Sequence, residues 1–183
     1  MKKYILGLMG AGLLWVACDR ETPAGGATLA TKNTLPDQES WNTTLIITYE
    51  GRKNGVLQAG HIQKYLKRKK TYIKDSLTVD FFDERGRHTS RLTARAGEVH
   101  DKTQDMMAYD HVVVVSDSGV TLYTDTLHWD NQNKKIYTHT PVMFITALDT
   151  LYGDQFQSDS RLENYTIRNA SGVSYRHFRE EQP

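Results

Sequence analysis

A phrase that returns along the chain constrains its fold more than any other feature. Thr121-Leu122-Tyr123-Thr124-Asp125 reappears as Thr150-Leu151-Tyr152-Gly153-Asp154, 29 positions later (150 − 121). Both phrases alternate apolar and polar residues and are rich in Thr and Tyr, a pattern that predicts β-strands. A repeated strand phrase indicates a repeated piece of backbone, although the two aspartates also raise the question of chemistry.

The same shift brings wider blocks into correspondence. It places Met107 on Ile136, Val113 on Val142 and Val115 on Phe144, and a second shift places Leu127 on Phe156 and Ile136 on Tyr165. Three copies therefore run roughly over 93–115, 122–144 and 151–173, each a strand, a polar turn and a strand. One hairpin cannot bury its own apolar face, so neighbouring copies must stack to share a core. The sequence predicts an all-β fold, a twisted, partly open β-roll of stacked antiparallel hairpins.

The first forty residues predict export and membrane attachment. Met1-Lys2-Lys3 precedes an uncharged stretch from Tyr4 to Ala17, which is shorter than the roughly 20 residues that span a bilayer. It ends at Cys18, the only cysteine, as the signal of a bacterial lipoprotein does. We predict a signal peptide over 1–17, a lipidated Cys18 and flexible tether over 18–40, the β-domain over 41–177 and a polar tail over 178–183. An ordinary signal peptide or an N-terminal anchor is the alternative.

Catalysis, metal binding and nucleic-acid binding are not indicated. Lys and Arg number 23 against 22 Asp and Glu, so no basic surface for nucleic acid is expected. No nucleophile motif, phosphate-binding loop or dinucleotide fingerprint occurs, and the histidines lack metal-ligand spacing. Glycoside hydrolysis needs one asymmetric pair of carboxylates. The candidates recur beside turns in the copies instead, which favours a turn role for Glu98, Asp101, Asp125, Asp130, Asp154 and Asp159. We expect no enzyme and no cofactor.

Four segments, in this order, resemble the LptC family of lipopolysaccharide-export proteins. They are Leu92-Thr93-Ala94-Arg95-Ala96-Gly97-Glu98-Val99, then Val112–Val115, then Gly119-Val120-Thr121-Leu122-Tyr123-Thr124-Asp125-Thr126-Leu127-His128-Trp129-Asp130, then Ile136-Tyr137-Thr138-His139-Thr140-Pro141-Val142. The resemblance covers about residues 55–173. It implies an OstA-like β-jellyroll whose apolar interior takes the acyl chains of lipopolysaccharide.

The resemblance also implies partners and a location. An inner-membrane ABC transporter would supply lipopolysaccharide and the energy, and a periplasmic bridge protein of OstA-like fold would receive the lipid by edge-strand pairing. We expect the docking edges near Thr43–Tyr49 and Ile167–Tyr175. Many family members are anchored by a transmembrane helix, whereas this chain is predicted to be lipid-anchored, on the periplasmic face of the inner membrane of a Gram-negative envelope.

Two sets of candidate site residues follow, with an alternative for each. The apolar and aromatic candidates for an acyl-chain groove are Phe81, Val113, Val115, Leu127, Trp129, Ile136, Val142, Phe144, Phe156 and Tyr165. The candidates for contact with a lipid head group or membrane are Lys67, Arg68, Lys69 and Lys70, which a solvated loop also explains. If the core closes fully, the alternative function is a non-catalytic envelope lipoprotein that acts as a scaffold or glycan-binding module.

Overall fold

The computed structural model of the protein describes residues 35–175, which form antiparallel β-strands joined by turns. The strands are β1 (Gln38–Tyr49), β2 (Arg52–Tyr65), β3 (Lys70–Phe82), β4 (His88–Ala94), β5 (Ala96–His100), β6 (Met106–Ser116), β7 (Thr121–Asp130), β8 (Lys135–Thr138), β9 (Val142–Ile145), β10 (Asp149–Gly153), β11 (Gln155–Ser158), β12 (Tyr165–Arg168) and β13 (Ser171–Ser174). The predicted all-β fold is confirmed. Between residues 35 and 175, no helix has the length and apolarity needed to cross a membrane.

The long strands take part in two sheets because each bends near its middle. The first half of β3 pairs with β5 and its second half with β4. β6 likewise pairs with both β4 and β5. The first half of β7 pairs with β9 and its second half pairs with β8. We call the branch that contains β5, β8, β11 and β12 sheet I, and the branch that contains β4, β9, β10 and β13 sheet II. β1 is the shared edge at the other end.

The repeated Thr-Leu-Tyr-x-Asp phrase marks the place where a strand passes between the sheets. Asp125 lies in β7 between the residues that pair with β9 and those that pair with β8. Asp154 separates β10 from β11 in the same way, and its carboxylate accepts a 2.8 Å hydrogen bond from the Asn169 side chain. The phrase is therefore the signature of a bend.

A cluster of threonines stabilises the bend of the middle copy. The hydroxyl oxygens of Thr124 and Thr140 lie 2.8 Å apart, and those of Thr138 and Thr140 lie 2.9 Å apart. Thr124 also donates to the carbonyl oxygen of Pro141 at 3.1 Å. Because these hydroxyls are mutually satisfied, polar groups are accommodated beside the apolar core at the bend.

Aspartates shape the hairpin turns, as predicted for Asp130 and Asp159. Asp130 accepts hydrogen bonds from the backbone N–H and side-chain amide of Asn133, and these bonds lower the pKa of Asp130. Burial alone would raise the pKa of Asp159. Its hydrogen bonds from the Asn164 side chain and from nearby backbone N–H groups outweigh burial and lower this pKa.

The first strand extends beyond the predicted domain boundary. β1 begins at Gln38, so the last three residues of the segment predicted as tether, 38–40, are paired with β2. The predicted signal peptide, Cys18 and the polar tail lie outside the described residues and remain predictions.

Candidate functional site: the apolar interior and its ends

The inner faces of the two sheets enclose one apolar core. Five of the predicted groove residues are buried in it, namely Leu127, Ile136, Val142, Phe144 and Phe156. Phe81, Trp129 and Tyr165 are partly buried and pack against it. The structure therefore brings these eight side chains together, while their contact with a lipid stays a proposal.

Val113 and Val115 lie on the opposite face, which corrects their assignment to the interior. Val112 and Val114 are 1% and 3% exposed, whereas Val115 is 46% exposed. Neighbouring strand residues face opposite sides of a sheet, so the valine run supplies the core with alternate members only.

A one-residue slip explains the misplaced valines. Buried Val112 and Val114 of the first copy correspond to buried Val142 and Phe144 of the second, a spacing of 30 (142 − 112), not 29. A shift of one residue moves every side chain of a strand to the other face.

Aromatic rings fill the end of the interior near β12. The ring centroids of Phe144 and Tyr165 lie 4.3 Å apart, and those of Phe144 and Phe156 lie 5.4 Å apart. Phe144 and Phe156 are 0% and 2% exposed. We call this trio the aromatic cluster. Its packing leaves this end of the interior closed.

Leu162, which no pattern of the sequence marked as a core residue, closes the same end. It lies in the polar turn between β11 and β12, yet it is only 1% exposed and belongs to the core. Its φ of 60° is a left-handed conformation that bulky residues rarely adopt. We call residues 159–164 the closing loop. The only indication of this burial in the sequence is that Leu162 is the one apolar residue of a loop otherwise made of Asp, Ser, Arg, Glu and Asn.

The opposite end of the interior, along β1, is more open. Leu45 pairs with buried Leu57 and shares its face of the sheet, yet Leu45 is 45% exposed. Ile47 on the same face is only partly buried. The apolar inner surface therefore reaches solvent beside β1.

A lysine connects turns that are distant in sequence. The Lys134 Nζ lies 5.3 Å from the ring centroid of Tyr49, at the end of β1, and 5.9 Å from that of Trp129. Cation–π contacts of this kind are worth on the order of 1 kcal/mol when exposed. The β1–β2 and β7–β8 turns are thus held close together.

The basic run occupies the β2–β3 turn and the start of β3. Lys67, Arg68 and Lys69 are exposed, and the Arg68 guanidinium lies 4.9 Å from the Tyr65 ring centroid. The Lys70 ammonium instead forms a hydrogen bond with Glu98, which raises the pKa of Lys70. The three exposed side chains, Lys67, Arg68 and Lys69, are therefore the members of the run that stay candidates for contact with a head group or membrane.

The other titratable side chains of the described region form ion pairs and hydrogen bonds between strands, such as those that link His88 to both Asp80 and Asp117. Within residues 35–175, no group of three or more histidine and carboxylate side chains lies close enough to hold a metal ion. Asp101, directly after β5, accepts a 2.8 Å hydrogen bond from the Thr71 hydroxyl on β3. This carboxylate therefore links two neighbouring strands.

Comparison with known proteins assigns the family. Residues 4–175 match the family described as lipopolysaccharide-assembly, LptC-related. No curated protein sequence matches the chain. The match spans nearly the whole chain and includes every strand described above. The chain belongs to the LptC-related family of lipopolysaccharide-assembly proteins.

Proposed function

We propose that this chain accepts lipopolysaccharide from an inner-membrane ABC transporter in its apolar interior and passes it to a periplasmic bridge protein of OstA-like fold. Members of the family to which it belongs are non-catalytic components of lipopolysaccharide transport. In our proposal a lipid on Cys18 holds the chain to the inner membrane, and residues 18–37 tether the β-domain. The transfer requires no covalent step by this chain, and the transporter supplies the energy.

The distribution of exposed apolar side chains is the observation that carries this proposal. Twelve large apolar side chains of the described region are exposed, and they form two groups. One group lies on or beside β1 and comprises Leu35, Trp41, Leu45, Ile46, Tyr49 and Leu66. The other lies on β6, β7, β10 and β13 and in the adjoining loops and comprises Val115, Tyr123, Leu148, Tyr152, Val173 and Tyr175.

Both groups adjoin strands that have a free edge. β1 pairs only with β2, and β13 pairs only with β10, among the described residues. Exposed edges beside apolar surface are sites where a second protein adds a strand. Strands β3, β4 and β5 carry none of the twelve. This arrangement supports a partner at each end, with the apolar interior between them.

Photo-crosslinking tests the proposal. A benzoyl-phenylalanine in place of Trp129, Phe144 or Phe156 should form adducts with lipopolysaccharide when the transporter hydrolyses ATP. The matched control is Val115, which is apolar but faces outward. Adducts at Val115 alone, or at none of the three interior positions, would contradict the proposal.

The tight packing of the interior favours the alternative function. Leu122 and Phe144 are 0% exposed, as expected for a closed core. A scaffold or glycan-binding lipoprotein would keep that core closed and give no interior adduct. The crosslinking experiment therefore separates the two functions.

A further inference from the structure

We propose that the closing loop is a lid, which swings out with Leu162 to make room for an alkyl chain against the aromatic cluster. The inference rests on the proposed function. The interior reaches solvent beside β1, whereas Phe144, Phe156, Tyr165 and Leu162 fill its other end. An acyl chain that travels from one end to the other therefore requires these side chains to move.

The closing loop is built as a unit that can move without losing its own structure. The Asp159 carboxylate accepts hydrogen bonds from the backbone N–H groups of Arg161 and Glu163, both at 3.1 Å, and of Asn164 at 3.2 Å. The Leu162 N–H also donates to the Asp159 carbonyl oxygen at 3.2 Å. These bonds lie within the loop, so they survive a rotation of the whole loop.

The loop is held to sheet II by two serine hydroxyls. Ser116 donates to the carbonyl oxygen of Arg161 at 3.2 Å, and Ser90 donates to that of Ser160 at 3.5 Å. Both acceptors are main-chain oxygens of neutral groups, and hydrogen bonds between neutral groups are individually weak. Water can replace both bonds when the loop opens.

A buried hydroxyl lies directly before the loop. Ser158 is 1% exposed and its Oγ has no hydrogen-bond partner among the described residues. An unpaired buried hydroxyl destabilises the closed state relative to one in which water reaches it. The left-handed backbone of Leu162 acts in the same direction. An alkyl chain in contact with Phe156 and Tyr165 would replace the apolar burial that Leu162 provides.

Thiol labelling tests the lid. Cys18 is the only cysteine, so a full chain carrying Cys18→Ser and Leu162→Cys has a single thiol under the loop. Its reaction with a water-soluble maleimide should be slow alone and accelerate about tenfold or more with lauric acid below its micellar concentration. Adding Ser116→Ala should accelerate labelling without lauric acid. The control Val112→Cys, 1% exposed in the middle of the core, should stay protected.

The outcomes distinguish the lid from the proposed function. If calorimetry shows that lauric acid binds while the thiol of the Leu162→Cys variant stays protected, the lid is wrong and the proposed function stands. If lauric acid makes the thiols of both the Leu162→Cys variant and the Val112→Cys control reactive, the fatty acid unfolds the domain and the lid is wrong. If lauric acid does not bind, no alkyl chain displaces the loop and the lid is wrong, whereas the proposed function is then decided by the crosslinking to lipopolysaccharide.

A second measurement needs no substitution. A diazirine analogue of lauric acid photolysed with the wild-type chain should label Phe156 and Tyr165. Labels confined to Leu45 and Ile47, at the open end, would overturn the lid even if the Leu162→Cys variant did not fold.

Discussion

Gly153 and Ile167 lie so close that a Cβ added to Gly153 would sit 2.3 Å from Cγ2 of Ile167. The same Cβ would lie 2.7 Å from the carbonyl oxygen of Arg168. This glycine ends β10 at the bend between the sheets, opposite β12. The close approach closes the corner of the roll beside the aromatic cluster.

Gly153→Ala should therefore destabilise the domain. The Arg168 carbonyl is backbone and cannot rotate away, so the strands must separate, which costs about 1–3 kcal/mol. Urea unfolding of the variant measures this cost. Gly55→Ala is the matched control, because its new Cβ would be 3.4 Å from Ile47, an ordinary contact. Equal stabilities of the two variants would show that the corner can relax.

The valine run offers a test of which face is buried. Val114→Ala removes two methyl groups from a side chain that is 3% exposed and should cost about 2 kcal/mol. Val115→Ala, 46% exposed, should change the unfolding free energy by less than about 0.5 kcal/mol. Denaturant unfolding of both variants measures the difference. If Val115→Ala were the more destabilising of the two variants, Val115 and not Val114 would face the interior.

The sequence predicted the stacked hairpins because bends and turns recur at nearly equal spacing. It could not predict the face of each valine, since four consecutive valines have no period of two. β6 also contains a bulge, between Tyr109 and Val112, and its residues Asp110 and His111 both have positive φ. Such an insertion changes which residues face inward. The whole-chain spacing of 29 therefore failed locally, while the turn at Asp130 and the buried Leu127 were predicted correctly.

Leu162 shows a second limit. A leucine among polar turn residues predicts an exposed loop, because local pattern reports nothing about what the loop folds onto. The loop that carries it is hydrogen-bonded to Ser90 and Ser116, which are 70 and 45 positions away from the loop residues they contact. Contacts at that separation become visible only when the sheets are placed together.

Asp80 should make stability depend on pH. The Arg91 guanidinium donates to its carboxylate at 2.6 Å and His88 approaches at 3.2 Å, and together they lower the pKa of Asp80 against the opposing effect of burial. A lowered pKa in the folded state gives stability that is present above the unfolded value of about 3.9 and is lost as pH falls through the folded value.

The test compares Asp80→Asn with the wild type by urea unfolding between pH 6 and pH 3, a range chosen around the carboxylate value of about 3.9. The variant should have the lower free energy of unfolding at pH 6. The difference between the variant and the wild type should shrink below about pH 4, as the wild-type carboxylate takes up a proton. Asp125→Asn is the matched control for the loss of one aspartate charge, because Asp125 is exposed and lies outside the contact between Asp80, His88 and Arg91. A difference for Asp80→Asn that is independent of pH would rule out this role.

Charges placed on the two apolar edges should separate the two partners. Ile46 on β1 is 66% exposed and Val173 on β13 is 53% exposed. A lysine on an edge strand disfavours pairing with another chain, because its charge must be desolvated in the interface. Each substitution, Ile46→Lys and Val173→Lys, should weaken capture of one partner about tenfold or more, equivalent to about 1.4 kcal/mol, and leave the other unchanged. Copurification of the transporter and of the bridge protein from membranes measures both. Thr93→Lys is the control, because Thr93 is an exposed residue of β4, a strand that carries none of the twelve exposed apolar side chains. If both edge variants lost the same partner, the two groups would belong to one shared interface. If neither variant lost a partner, neither group would be a docking surface.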